Sequence, residues 1–380
     1  MPTGNLRHGG KVQFDIHMLP AKHGDALWIE YGDGTKRRRV LVDAGPINAW
    51  QAISAHLDKL PDDDRNVELL VITHVDTDHI EGVIRLLAPP VAKWLIQPQE
   101  IWFNGYEHMR SGERPLGGKH GEFLSALLHR RNAASWNKAF KGEAVMLPDS
   151  GCLIEIPLAD GMKLTLLSPN RSKLLEMATQ WERDVAAWEA DPGDLESGWE
   201  ELVKTTKYHG SELSLGPEDI TDKLQKQLRG HDGSKANGSS IAFLASYRGR
   251  TCLFLADAHA DIVCDSIRKM LVDGQAFLKV DAVKVSHHGS RNNITSEFME
   301  LVDADHWLIS TNGDVHGLPN EAAIEAIIVG ARSKPTLWFN YRSKFTEPFE
   351  RDARHGVEFQ TRYPGDGQEG LRLSLFTPEQ

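Results

Sequence analysis

The chain reads as an α/β protein. Short β-prone apolar runs alternate with stretches whose apolar residues recur at helical spacing, and several of the apolar runs end abruptly in acids or histidines. The alternation sets the class, and the polar strand ends mark where chemistry would sit. With 380 residues, 40% of them hydrophobic, the chain has enough apolar surface for one large core or two modest ones.

Val12 to Met18 alternates, which places Val12, Phe14, Ile16 and Met18 on one face of a strand, after a polar end at 1–10. The turn Lys22-His23-Gly24-Asp25 leads to a second strand, Ala26 to Tyr31. Gly32-Asp33-Gly34 is a hairpin signal, and Arg39 to Val42 returns to Asp43-Ala44-Gly45. Residues 47–60 read as an amphipathic helix stopped by Pro61. Val67 to Ile72 is a buried strand, and Ile80 to Leu87 a helix before Pro89-Pro90.

Between that strand and helix lies Thr73-His74-Val75-Asp76-Thr77-Asp78-His79, with four potential metal ligands within six residues. A short turn on a rigid strand–helix frame can aim several side chains at one point. Two imidazoles and two carboxylates suit zinc, manganese or iron. The alternative is a capped helix, with Asp76 or Asp78 as N-cap and incidental histidines.

From about 100 to 236 the pattern loosens. Arg110 to Gly121 is glycine-rich and basic, a surface loop. Met162 to Leu167 is strand-like. Residues 171–236 read as a largely helical insertion or lid, with Trp181, Trp188 and Trp199 as packing anchors. His108, His120, His129, His209 and His231 have no motif around them and read as ordinary histidines.

Regular structure resumes after Asn237-Gly238-Ser239-Ser240 with strands Ile241–Ser246 and Thr251–Ala256, the latter ending at Asp257. An acid at the end of an apolar strand is costly unless it has a charged partner or a metal. A third strand, Asp281 to Ser286, ends at His287-His288-Gly289-Ser290. Lys284 and Arg291 flank this turn as possible phosphate contacts.

The segment His74 to His79 resembles the His-x-His-x-Asp-His signature of the metallo-β-lactamase superfamily, with Asp76 at the place of the second histidine. The opening His23-Gly24-Asp25-Ala26, hairpin and Val42-Asp43-Ala44-Gly45 are similar to the metallo-β-lactamase domain of the ComEC family of DNA-uptake proteins. So is the block from Asn237 through Asp257 to His287-His288-Gly289-Ser290. Ile309-Ser310-Thr311-Asn312-Gly313 and His316-Gly317-Leu318-Pro319 resemble that family's later segment, with the Gly-His order altered. The channel portion of ComEC is missing, so DNA uptake does not transfer.

The resemblance implies one domain over 1–380, an αββα four-layer sandwich of the metallo-β-lactamase fold, with 171–236 inserted. It implies one or two divalent ions, zinc first and manganese or iron as alternatives. His74 and Asp76 would bind one ion and Asp78 and His79 a second. Asp257 would bridge them, and His287 or His288 would complete the second site. His287 is preferred as the first residue past the strand. Asp43 would support the loop from behind. Asp78 would also orient water, and His316 would contact a leaving group or phosphate, or serve the loop alone. No third histidine precedes Asp257, where the chain has Asn237 and Ser240. An oxygen-rich first site should bind zinc less well and favour manganese or iron.

The implied activity is metal-dependent hydrolysis of a phosphodiester, nuclease-like, with nucleic acid or another phosphodiester as partner. The alternatives are a hydrolase of a lactone, amide, thioester or cyclic nucleotide, and a non-catalytic binding module. A net charge of -11 argues against a broad basic face. Three cysteines without a Cys-x-x-Cys pair imply neither a disulfide framework nor a zinc finger. With no signal peptide and no membrane-length apolar segment, the expectation is a cytoplasmic protein without a membrane partner.

Overall fold

The structure, a computed structural model, describes residues 12–34, 36–61, 64–109, 119–131, 135–186, 193–209, 232–350 and 353–376. In chain order the principal elements begin with β1 (Gln13–Met18), β2 (Leu27–Gly32), β3 (Arg37–Val42), α1 (Trp50–Leu57), β4 (Leu69–Val71), α2 (Thr77–Leu87), β5 (Ile101–Trp102) and α3 (Lys119–Arg131). The middle of the chain gives β6 (Glu155–Pro157), β7 (Lys163–Ser168), α4 (Arg171–Ala186) and α5 (Leu195–Lys204). Then follow β8 (Ala242–Tyr247), β9 (Arg250–Phe254), α6 (Ala260–Met270), β10 (Leu278–Lys284), α7 (Ser296–Leu301), β11 (Val302–Ile309), α8 (Glu321–Gly330), β12 (Thr336–Phe339), β13 (Gln360–Arg362) and β14 (Leu371–Ser374).

One sheet has the order β14-β1-β2-β3-β4-β5, the other β13-β12-β11-β10-β9-β8-β7-β6. Both mix antiparallel hairpins with a parallel stretch: β3, β4 and β5 run parallel in the first, and β9 to β13 in the second. Parallel neighbours need crossovers, and the helices that supply them cover the outer faces.

Alternation decides which side chains meet. Phe14, Ile16 and Met18 of β1 point between the sheets as their spacing predicts, against residues such as Leu166 and Phe243 of the second sheet. Trp28 and Leu41 point outward and pack with Ile53 of α1, Val83 of α2 and Phe123 of α3. On the far side Leu253, Val283 and Trp307 pack with Val263, Phe298 and Ile324 of α6 to α8. Three cores between four layers make the αββα sandwich that the sequence resemblance implies. Each fully buried large apolar side chain contributes about 1.5–3 kcal/mol. A frame held that way can carry unsatisfied polar groups at its edge.

Helices α4 and α5 pack into the outer core of the first sheet, where Trp181 is fully buried and edge-on to Tyr106. Trp199 lies under the Arg130 guanidinium, 4.7 Å from its ring centre. Both act as packing anchors, as expected. Trp188, His231, the end at 1–10 and nearly all of the basic loop at 110–121 lie outside the described residues. Among the described residues no helix is long and apolar enough to cross a membrane.

Candidate metal centre

The site forms where β3, β4, β9 and β10 end at the same edge. Asp43 follows β3 with a left-handed backbone (φ 56°), and its N–H bonds the Val71 carbonyl at the end of β4 (2.8 Å). Its carboxylate accepts the Thr73 amide (2.8 Å) and hydroxyl (2.6 Å), which fixes the start of the ligand-rich turn. The Ile241 amide, just before β8, donates to the Thr73 carbonyl (2.9 Å) and so ties the second sheet to this turn. Two glycines allow close approach here. A Cβ on Gly24 would lie 1.8 Å from the Asp78 carbonyl oxygen, and one on Gly82 would lie 1.9 Å from that of Ala44.

Asp76 takes the N-cap position of α2, but its side chain makes no capping hydrogen bond. Its Oδ2 instead lies 3.6 Å from His74 Nε2. The simple capping explanation of this turn therefore fails for Asp76. Asp78 sits in the first helical turn, where the helix dipole favours a carboxylate.

The imidazoles are held from behind and face one another. His79 Nδ1 bonds the Asp43 carboxylate at 2.8 Å, the supporting role expected of Asp43. His74 Nδ1 lies 3.0 Å from the Thr73 hydroxyl, and its ring centre is 4.2 Å from that of His79. His288 Nδ1 bonds the Ser310 carbonyl at 2.9 Å. Their Nε2 atoms meet carboxylates. His79 Nε2 is 3.4 Å from Asp257 Oδ1, and His288 Nε2 is 3.7 Å from the same oxygen and 3.5 Å from Asp78 Oδ2. Ligand atoms of His74, His79 and Asp257 lie within 4.8 Å of one another, as do those of Asp78, His79 and His288.

The turn after β10 separates its two histidines. His287 and His288 both have left-handed backbones (φ 47° and 54°), so adjacent side chains diverge, with ring planes at 74°. His288 is fully buried and belongs to the ligand triad. His287 reaches the other Asp257 oxygen at 3.7 Å, and its Nδ1 is 3.1 Å from both Asp232 Oδ2 and Asn293 Oδ1. The sequence preference for His287 counted distance from the strand and could not see this divergence. The geometry puts His288 at the centre and His287 on the flank.

Charge is concentrated in this cluster. Burial would push the Asp257 carboxyl up, but the imidazoles of His287, His288 and His79 hold it well below its usual range. Burial likewise opposes ionisation of Asp78, and His79 and His288 outweigh it. Burial should keep His288 neutral, yet Asp257 and Asp25 push it up to about 10. His79 is driven well above its usual range against burial, chiefly by Asp257 and Asp43. The carboxylates demand positive charge among them, which is the demand a cation meets.

The donor set fits a metal. His74 Nε2, His79 Nε2, His288 Nε2 and Asp257 Oδ1 are buried without a hydrogen-bond partner among the described residues. Buried polar atoms are seldom left that way, and these are the atoms that face the common centre. Imidazole nitrogen with carboxylate oxygen is a donor mixture suited to zinc, manganese or iron.

Some participants lack a sequence signal. Asp25 is buried, accepts Lys284 Nζ at 2.6 Å and lies 3.5 Å from His288 Nδ1. Lys284 is itself fully buried in that pair, so the possible contact with a substrate phosphate is closed to it. Arg291 remains exposed. Near the place of the missing third histidine, Asn237 Nδ2 is 2.8 Å from Asp232 Oδ2 and 3.3 Å from His287 Nδ1. Ser240 is buried, with its hydroxyl unpartnered among the described residues. His316 enters none of the ligand groups; its ring lies edge-on to His23 at 6.0 Å. Their loops border the centre: the Asn312 amide bonds the Lys22 carbonyl (2.8 Å), and the Asn320 amide bonds that of Gly289 (3.0 Å).

No protein-family model matches the chain, and no curated protein matches it at a significant level. Among solved structures it is similar to the metallo-β-lactamase fold protein YhfI from Bacillus subtilis (9% identity, TM-score 0.41, covering 96% of this chain and all of that one). It is also similar to CmlA, a diiron β-hydroxylase from Streptomyces venezuelae (12% identity, TM-score 0.40, covering 99% of this chain). The chain spans 55% of the length of CmlA. These superpositions are too loose to carry a reading of activity.

Proposed function

We propose that the chain is a metal-dependent hydrolase that cleaves a phosphodiester bond, in the manner of a nuclease. The observation that carries the reading is the convergence of buried, partnerless His74, His79, His288 and Asp257 atoms beside Asp78. His74, Asp76, His79 and Asp257 would hold one ion, and Asp78, His288 and Asp257 a second, with His287 at the outer Asp257 oxygen. Zinc suits the imidazoles, while Asp76 shifts the balance toward manganese or iron. A bound divalent ion lowers the pKa of water toward neutrality and polarises the scissile group.

The chain's own residues do the rest. Asp43 holds the His79 ring through Nδ1, and Ser310 and Asp25 do the same for His288. Asp232 and Asn293 orient His287. Asp78, whose side chain is 14% exposed and so reaches solvent, would bind the ion and orient the attacking water. His316, whose loop borders the centre beside His23, would contact the leaving group or a substrate phosphate. Phosphodiester specificity rests on the likeness of the Asn237 to Ser290 block to the ComEC domain.

The acidic lining and the withdrawal of Lys284 into its ion pair favour a second reading, a small-molecule hydrolase. The deciding experiment is cleavage of single- and double-stranded DNA and RNA after chelation and readdition of manganese or zinc, with Asp78→Ala as control. Metal-dependent cleavage lost in the variant is expected. No cleavage by a metal-loaded protein, with turnover of a lactone, thioester or cyclic nucleotide, would replace the nuclease reading with the second one.

A further inference from the structure

The outer face of the first sheet carries another ligand-rich cluster, away from the strand ends. Asp15 and Glu30 are directly paired across β1 and β2, and His17 lies two residues along the same face. Ligand atoms of Asp15, His17 and Glu30 lie within 4.8 Å of one another. Helix α1 covers them and adds His56, whose ring centre is 6.0 Å from that of His17.

Ordinary ion pairing does not account for this cluster. Asp15 is 1% exposed; Arg372 bonds its Oδ2, but Oδ1 has no partner among the described residues. The buried Nε2 atoms of His17 and His56 are likewise partnerless. Arg39 serves both Glu30 and Asp64, so three carboxylates share two guanidiniums. Glu30 Oε2 carries only the Gln13 amide at 3.3 Å and lies 3.9 Å from His17 Nε2. The third carboxylate, Asp64, is 39% exposed and meets solvent; what ion pairing leaves unexplained is a buried carboxylate oxygen and two ring nitrogens without partners.

We propose that Asp15, His17 and Glu30, with His56 flanking them, form a second, structural binding site for a divalent cation of the zinc class, independent of the hydrolytic centre. Imidazole and carboxylate donors match that class. The Arg372 side chain is 54% exposed and is able to swing into solvent as a cation takes Asp15. The site would clamp α1 to β1 and β2.

The probe is zinc alone, by equilibrium dialysis of the full chain against buffered zinc and assay of metal per chain. His17→Ala combined with His56→Ala should hold one zinc fewer than the parent and keep the parent's metal-dependent turnover. Asp257→Ala combined with His288→Ala should lose zinc from the hydrolytic centre and still hold this one. Equal zinc in the parent and the His17/His56 variant would overturn the proposal. Unchanged zinc in the Asp257/His288 variant would instead overturn the hydrolytic centre and leave this site standing. If the first variant does not fold, zinc-edge anomalous scattering from the unmodified, zinc-loaded chain decides. A peak among Asp15, His17 and Glu30 is expected, and none there refutes the site.

Discussion

The two flanks of the candidate centre are held differently. On one flank His79 and His288 are each locked from behind, by the Asp43 carboxylate and by the Ser310 carbonyl with Asp25. On the other, His74 has only the Thr73 hydroxyl, and Asp76 is 29% exposed with no capping bond. Oriented ligands bind a metal without first losing rotamer freedom, so the His79–His288 flank should fill first and tightest. The His74–Asp76 flank should be weaker and more sensitive to which ion is offered.

The strongest way to break that contrast is at the support of His288. Lys284→Met leaves Asp25 buried without its cation, and removing one partner of such a pair costs roughly 3–5 kcal/mol. Chemical denaturation should show a loss of that size; a loss under about 1 kcal/mol would mean that His288 alone suffices as the counter-charge of Asp25. Asp43→Ala removes the acceptor behind His79. Metal affinity should fall about 10–100-fold with the fold retained. An unchanged affinity, measured by competition with a chromogenic chelator, would show that His79 does not depend on Asp43.

The looser flank offers a gain rather than a loss. Asp76→His restores an imidazole beside His74 and should raise zinc affinity relative to manganese, about tenfold in the zinc-to-manganese ratio. A ratio that does not move would place Asp76 outside the ligand set. A further effect lies away from the centre, at Glu122 of α3. Burial, reinforced by Asp194, pushes its carboxyl up to about 7, although the Gly193 amide opposes this. Unfolded, it titrates near 4.5, so its contribution is complete below that pH and is lost as pH rises through 7. Thermal stability should decline across that window by an amount on the order of 1–3 kcal/mol, and Glu122→Gln should flatten the decline. A parallel decline in the variant would assign it to other groups.

How far the sequence reaches follows the same contrast. The turn from Thr73 to His79 is legible because its ligands crowd one strand–helix junction, and Asp43 because it ends a buried strand. Alternation in β1 and amphipathic spacing in α2 show which face of each element is buried, whereas the four-layer arrangement comes from the resemblance alone. Asp25 and Asp232 are not legible: each meets its histidine only after the chain brings together residues 263 and 55 positions apart. The burial of Lys284 is hidden for the same reason, since its partner Asp25 lies 259 positions away. Local pattern reports strand ends, whereas the order of ligands around His287 and His288 depends on two left-handed residues that no spacing rule reveals.

The central claim is that Asp257 joins the two flanks around bound metal. Its most direct test is calorimetric titration of the chelated parent and Asp257→Ala proteins with zinc. The account predicts that the tightest binding phase of the parent disappears in the variant, with both proteins folded. Superimposable isotherms would contradict it.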